Sequence, residues 1–133
     1  MNRAKDRGPA GQHFSFDWCS FDRVFAHGGK RKISFARALK RARGPIRFID
    51  LSVLGPGADI GVHTHRSDNV ELYVVLSGVG WMTLDGLEFE VRPGHVVLNR
   101  PGGTHALKNI GDGELRMVVL EVETRSDAAR DPE

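Results

Sequence analysis

The chain of 133 residues holds one cysteine, one tyrosine and no long apolar run, and each scarcity excludes something. A single thiol, Cys19, cannot close an intrachain disulfide, so no disulfide framework and no oxidising compartment is implied. Without a second thiol nearby, Cys19 is also a poor metal ligand. No stretch approaches the roughly 18 apolar residues of a membrane span. The opening MNRAKDRGPAG has no apolar signal core either. A cytoplasmic protein without membrane contact is the expectation. There is no tandem repeat and no low-complexity tract, which sets aside solenoids and linkers.

What remains is ordinary globular composition, with 40% apolar and 27% charged residues, enough for one domain with a core of its own. The formal net charge of +2 conceals an asymmetry. Residues 1–43 carry 11 Lys/Arg against 3 Asp/Glu, whereas 44–133 carry 8 against 14. Seven of the 14 residues from Lys30 to Arg43 are basic. Such a run suits nucleic acid, but no aromatic platform or nucleic-acid motif accompanies it. A basic segment lying on an acidic body is the preferred account, and no nucleic-acid partner is expected.

Taken in order, residues 1–12 are polar and aperiodic, and are expected to be mobile. Phe14, Phe16, Trp18, Phe21 and Phe25 follow within twelve positions; rings at that density should pack on the body or on a second subunit, and a homodimer is expected. From Lys30 to Ala42, alternation of Ile33, Phe35, Arg37 and Leu39 with smaller residues predicts a strand. Beyond Gly44 the punctuation is all-β. IRFIDLSVL, the HTH stretch, VELYVVL, GWMTL, LEFEV, HVVLN, THALKNI and ELRMVVLEVE are separated by Gly- and Pro-bearing turns, with Asp85-Gly86 a two-residue hairpin signal. About eight short strands at this spacing indicate a sandwich or barrel. The polar end TRSDAARDPE reads as a frayed tail.

The chemistry lies in two stretches. His63 and His65 are two apart, so on a strand both imidazoles leave one face. Glu71 opens the next strand and shares a face with Tyr73 and Val75; NRPGGTHALKN offers His105 downstream. Three neutral imidazoles and one carboxylate, carried on three strands, suit a divalent transition metal (Mn, Fe, Zn or Ni). Open coordination positions would favour small oxyanions and Lewis-acid or dioxygen chemistry.

The spacing of these residues resembles the two motifs of the cupin superfamily. Gly57, His63-Thr-His65, Glu71 and Gly78 match the first; Gly94, Pro101, Gly103, His105 and Asn109 match the second. ELYVVLSG, WMTLDG and VRPG read the same way, and the likeness covers residues 44–123. It implies a small double-stranded β-helix (jelly roll) at 44–123. An N-terminal extension would occupy 1–43 and a tail 124–133. It further implies a metal at His63, His65, Glu71 and His105, turn roles for the glycines, and local hydrogen bonding by Asn109. Five residues separate His65 from Glu71, where three or four are usual, so 66–69 should bulge and Asp68 is the substitute ligand. Only Thr104 separates Gly103 from His105, and His95 stands where Asp is common; His95 is expected to serve the turn.

Function then narrows to a metal-binding protein acting on a small polar, anionic molecule, in isomerase, dioxygenase or lyase fashion. The alternative is a non-catalytic module that binds a sugar or small organic acid. Tyr73 is the candidate for proton transfer. Arg47, Arg92, Arg100 and Arg116 are candidates for a carboxylate clamp. His13 and His27 are expected on the surface outside the barrel, and Trp81 and Met117 in the core or pocket wall.

Overall fold

A computed structural model describes residues 7–65 and 68–124. The first six residues, the first half of the expected bulge (66–67) and all but the first residue of the expected tail lie outside them. The described residues form ten strands: β1 (Asp22–Val24), β2 (Ile33–Leu39), β3 (Ile46–Leu54), β4 (Asp59–Thr64), β5 (Val70–Ser77), β6 (Gly80–Leu84), β7 (Leu87–Val91), β8 (Val96–Asn99), β9 (Thr104–Asn109) and β10 (Leu115–Val122). One sheet runs β1-β2-β3-β10-β5-β8 and the other β4-β9-β6-β7; the ladders are antiparallel throughout. No helix of the described residues is long and apolar enough to cross a membrane.

Alternation explains the packing. On β5, Glu71, Tyr73 and Val75 are buried while Leu76 is 47% exposed, as expected where successive side chains point to opposite faces. Leu54, Met82, Leu107, Leu115 and Met117, supplied by both sheets, fill the space between the inner faces. Met117 therefore is core, but Trp81 is not. Gly80 and Met82 take the inner positions of β6, which leaves Trp81 outside and 39% exposed. The hydrophobic size of Trp81 suggested burial; its place in the alternation decided otherwise.

The Asp85-Gly86 hairpin joins β6 to β7 with both turn residues at positive φ, 49° and 87°, the twist a two-residue hairpin requires. Segment 13–20 lies over the outer face of the six-stranded sheet. Ala36 and Leu51 are cross-strand partners that face away from the barrel core, yet they are 2% and 5% exposed. Phe14, Trp18 and Cys19 border the same groove as Ala36, and the Phe16 ring lies 5.4 Å from the Arg116 guanidinium. The aromatic segment thus packs on the chain's own body, with Phe25 left 58% exposed.

Asn109, 1% exposed, ties the end of β3 to the loop between β9 and β10. Its Nδ2 donates to Leu54 O and Gly113 O, and its Oδ1 accepts from Gly111 N, each at 2.8 Å. Replacing Asn109 with alanine strands these buried backbone groups. The expected loss is about 2–4 kcal/mol of unfolding free energy, at roughly 1 kcal/mol per bond plus unmet polar atoms. Urea denaturation of wild type and variant measures it; equal midpoints would contradict the clamp role.

Candidate metal centre

A defect in the ladder puts the histidines in place. β4 and β9 pair Ile60 with Leu107 but His63 with His105, so one extra residue is accommodated between Ile60 and His63. Such a bulge reverses which parity faces inward. Ile60 points into the core above it, and His63 points inward below it, although three residues apart they would face opposite ways on a regular strand. His65 lies just beyond β4 and stays in line because its N–H donates to Gly103 O at 3.0 Å.

The result is a convergent donor set. His63, His65, Glu71 and His105 each offer one ligand atom, all within 4.8 Å of one another. The His63 and His105 ring centroids are 4.2 Å apart, and those of His65 and His105 4.8 Å. Glu71 Oε1 lies 3.2 Å from His65 Nε2 and 3.3 Å from His105 Nε2. Asp68 is exposed and stands outside this group.

The donors suit a transition ion. His63 Nδ1 is 2.7 Å from Gly61 O. A proton on Nδ1 donated to that carbonyl leaves Nε2 bare as a ligand, the usual orienting contact for a metal-binding histidine. Burial pushes the His63 pKa down to about 4, helped by the neighbouring His105 and His27 and opposed by the Gly61 bond and Glu71; the ring is neutral at pH 7. Burial alone would raise the Glu71 carboxyl. The contact with His105 and the charges of His65, His105 and His63 outweigh it and hold the group below its ordinary range.

His105 is fully buried, and neither ring nitrogen has a hydrogen-bond partner among the described residues. Its 3.3 Å approach to Glu71 lacks the alignment of a hydrogen bond. A buried polar group left so is uncommon and costly, and an ion shared with Glu71 would satisfy it. Asn99, directly opposite Glu71 on β8, is likewise fully buried with an unpartnered side-chain amide among the described residues.

Two residues at this site escaped the sequence. His27 is exposed at its rim, but its ring stacks on His63 with centroids 3.5 Å apart and planes 8° from parallel. Gly61 makes the approach possible. A Cβ there would sit 2.2 Å from His27 O, so only glycine lets residues 26–28 cross β4. A glycine inside a predicted strand is the available signal, since it marks a bulge or a close backbone approach. Burial lowers the His27 pKa, with His105 and His65 adding to the effect and Glu71 opposing it.

Arg37 is the second. A cavity of about 200 Å³ beside the donors is bordered by His27, Glu71, Tyr73, Arg37, Asp50 and Ser52. The four arginines expected as a clamp are instead paired on the exterior: Arg47 with Glu123, Arg92 with Glu90, Arg100 with Asp85 and Arg116 with Glu114. None of them borders the cavity. Alternation could not assign their faces, because Arg92 and Arg100 lie just beyond strand ends and Arg47 and Arg116 are second residues of their strands, where the period is not yet set.

Tyr73 is 3% exposed, its ring edge-on to His105 with centroids 5.6 Å apart. Burial first, then the nearby Glu71 carboxylate, raises its pKa well above the ordinary phenol value. His95 serves the turn before β8, its Nδ1 accepting from Arg92 N at 3.2 Å. His13 is exposed and lies edge-on to Trp18.

Comparison with known proteins agrees with this geometry. Residues 50–121 match the family described as Cupin domain. An oxalate-binding protein from Thermotoga maritima is 26% identical over 95 residues, spanning 70% of this chain and 78% of that protein. The crystal structure of a predicted oxalate decarboxylase from Thermotoga maritima superposes with a TM-score of 0.77 at 23% identity, covering 82% of this chain and 96% of that one. A Cupin 2 conserved barrel domain protein from Salinispora arenicola gives 0.60 at 20% identity over 77% and 82%. At those identities the two solved structures speak for the fold. The family match, which takes in more than half the chain, does more: this protein belongs to the cupin family.

Proposed function

We propose that the protein holds one divalent transition metal at His63, His65, Glu71 and His105 and uses it on a small anionic molecule. The observation that carries this is the convergence of three imidazoles and a carboxylate within 4.8 Å, with the carboxylate, Glu71, bordering a cavity of about 200 Å³. When bound, the ion would supply Lewis acidity toward a carboxylate or enolate oxygen, or a redox centre. His63 and Glu71 are held in the ligating protonation states at neutral pH. The apolar walls from Ile33, Phe35 and Val119 limit water beside the site. Tyr73, kept neutral by burial, is suited to donate a proton or a hydrogen bond and unsuited to act as a phenolate base. The oxalate-binding relative supports a small acid as ligand.

That relative's name also favours a second reading, a non-catalytic module that binds an acid. One experiment separates them. Protein loaded with Mn(II), Fe(II), Zn(II) or Ni(II) is mixed with oxalate and other small acids, with turnover followed by NMR and binding by calorimetry. Turnover supports the enzyme, binding without turnover supports the module, and neither would overturn both. In the enzyme case, Tyr73→Phe should lower turnover about 100-fold with metal content unchanged.

A further inference from the structure

One member of the basic run Lys30–Arg43, a run expected to lie on an acidic body, also serves the cavity: the Arg37 side chain keeps 44% of its surface exposed but borders the cavity beside Glu71. Arg37 lies on the inner face of β2, cross-strand from Asp50 on β3. Its Nε donates to Asp50 Oδ1 at 2.8 Å and its Nη2 to Asp50 Oδ2 at 3.0 Å, a bidentate pair. The guanidinium carbon lies 4.1 Å from the centroid of the Phe48 ring. Two donors and one face are therefore committed, and the side chain is fixed before any ligand arrives. Among the described residues nothing accepts from the Nη1 donors or the second Nη2 proton, and the group borders both the inner cavity and the outer groove under residues 7–22. Fixed arginine forks recognise carboxylates with two parallel bonds, and their ordering cost is already met here by Asp50 and Phe48.

We infer that Arg37 is the specificity-determining residue for a second carboxylate, so that the preferred ligand is a short dicarboxylate spanning from the metal side of the cavity to β2. The inference rests on the proposed metal site and deepens it. Size supports it. A cavity of about 200 Å³ is smaller than the roughly 300–1,000 Å³ of drug-sized pockets, which favours acids of a few carbons. Charge supports it as well, because Asp50 neutralises Arg37 on one edge only and leaves the others polar and unfilled.

The probes are malonate and its monoamide, matched in shape but differing by one negative charge. Calorimetry on metal-loaded protein should show malonate bound more tightly by wild type. Arg37→Gln should weaken malonate at least tenfold and leave the monoamide within twofold. Arg37→Lys should restore part of the preference. Removing Arg37 strands Asp50, which is 8% exposed, so R37Q/D50N, which takes away both charges, is measured alongside. A purely structural pair would lower the melting temperature without separating the two acids. Equal weakening of both acids, or no weakening, with metal content intact overturns the role of Arg37 and leaves the metal site standing. Failure of the metal reading is seen separately, as no metal uptake by wild type before acid is added. Arg37 then stands or falls on whether any malonate preference disappears in Arg37→Gln.

Discussion

Alanine at position 105 is expected to cut bound metal to below a tenth of an equivalent, measured by elemental analysis after dialysis against micromolar ion. Of the four proposed ligands His105 is the one wholly enclosed, and it sits opposite His63 in the ladder. Altering contacts that merely orient a ligand typically costs 10–100-fold in affinity; deleting the ligand should cost more. The fold should survive, because the void left behind is flanked by polar donors and the core proper is filled by Leu54, Met82, Leu107 and Leu115. Circular dichroism checks that point. Full metal content in a folded His105→Ala protein would remove the four-residue centre from consideration.

Stripping the ion from wild type should lower the melting temperature by on the order of 10 °C at pH 7.5. An ion present at 100–1,000 times its dissociation constant stabilises by about 3–4 kcal/mol, and each kcal/mol is worth a few degrees in a domain of this size. The metal-free protein should also become less stable with acid. His63 has a folded pKa of about 4 against an ordinary 6.5, so between those values the unfolded chain binds more protons than the folded one. The contribution is unchanged above pH 6.5, is lost progressively as pH falls toward 4, and is flat below. Ion binding needs a neutral imidazole, and His63 stays neutral in the folded protein until its folded pKa of about 4, so the gap between loaded and stripped protein should hold from about pH 8 to 5 and narrow only as pH approaches 4. Differential scanning calorimetry from about pH 3.5 to 8, with and without chelator, reads both effects. Identical curves would contradict them.

Much of the fold could be read in advance because alternation is a local signal. The strands that became β3, β5, β6, β7, β9 and β10 announce themselves in residues two apart, and Asp85-Gly86 announces its own turn. The donor set was legible for the same reason, through the HTH pair and the spacing of Glu71 and His105 within a recognisable motif. What escaped depends on contacts distant in sequence. Trp81 was misplaced because hydrophobicity does not reveal the phase of a strand. His27 reaches His63 only because the chain crosses β4 at Gly61, and Arg37 takes its place through Asp50 and the shape of a cavity that six strands build together. No spacing rule carries that information.

The extra residue in β4 has an evolutionary consequence. Deleting either position 61 or 62 would keep every donor and every turn glycine of the second motif, yet rotate one imidazole pair toward solvent. A descendant could thus retain a recognisable signature while losing the proposed ion site, and the letters alone would not reveal the loss. For this lineage, the count of residues between Ile60 and His63 is as diagnostic as the histidines themselves.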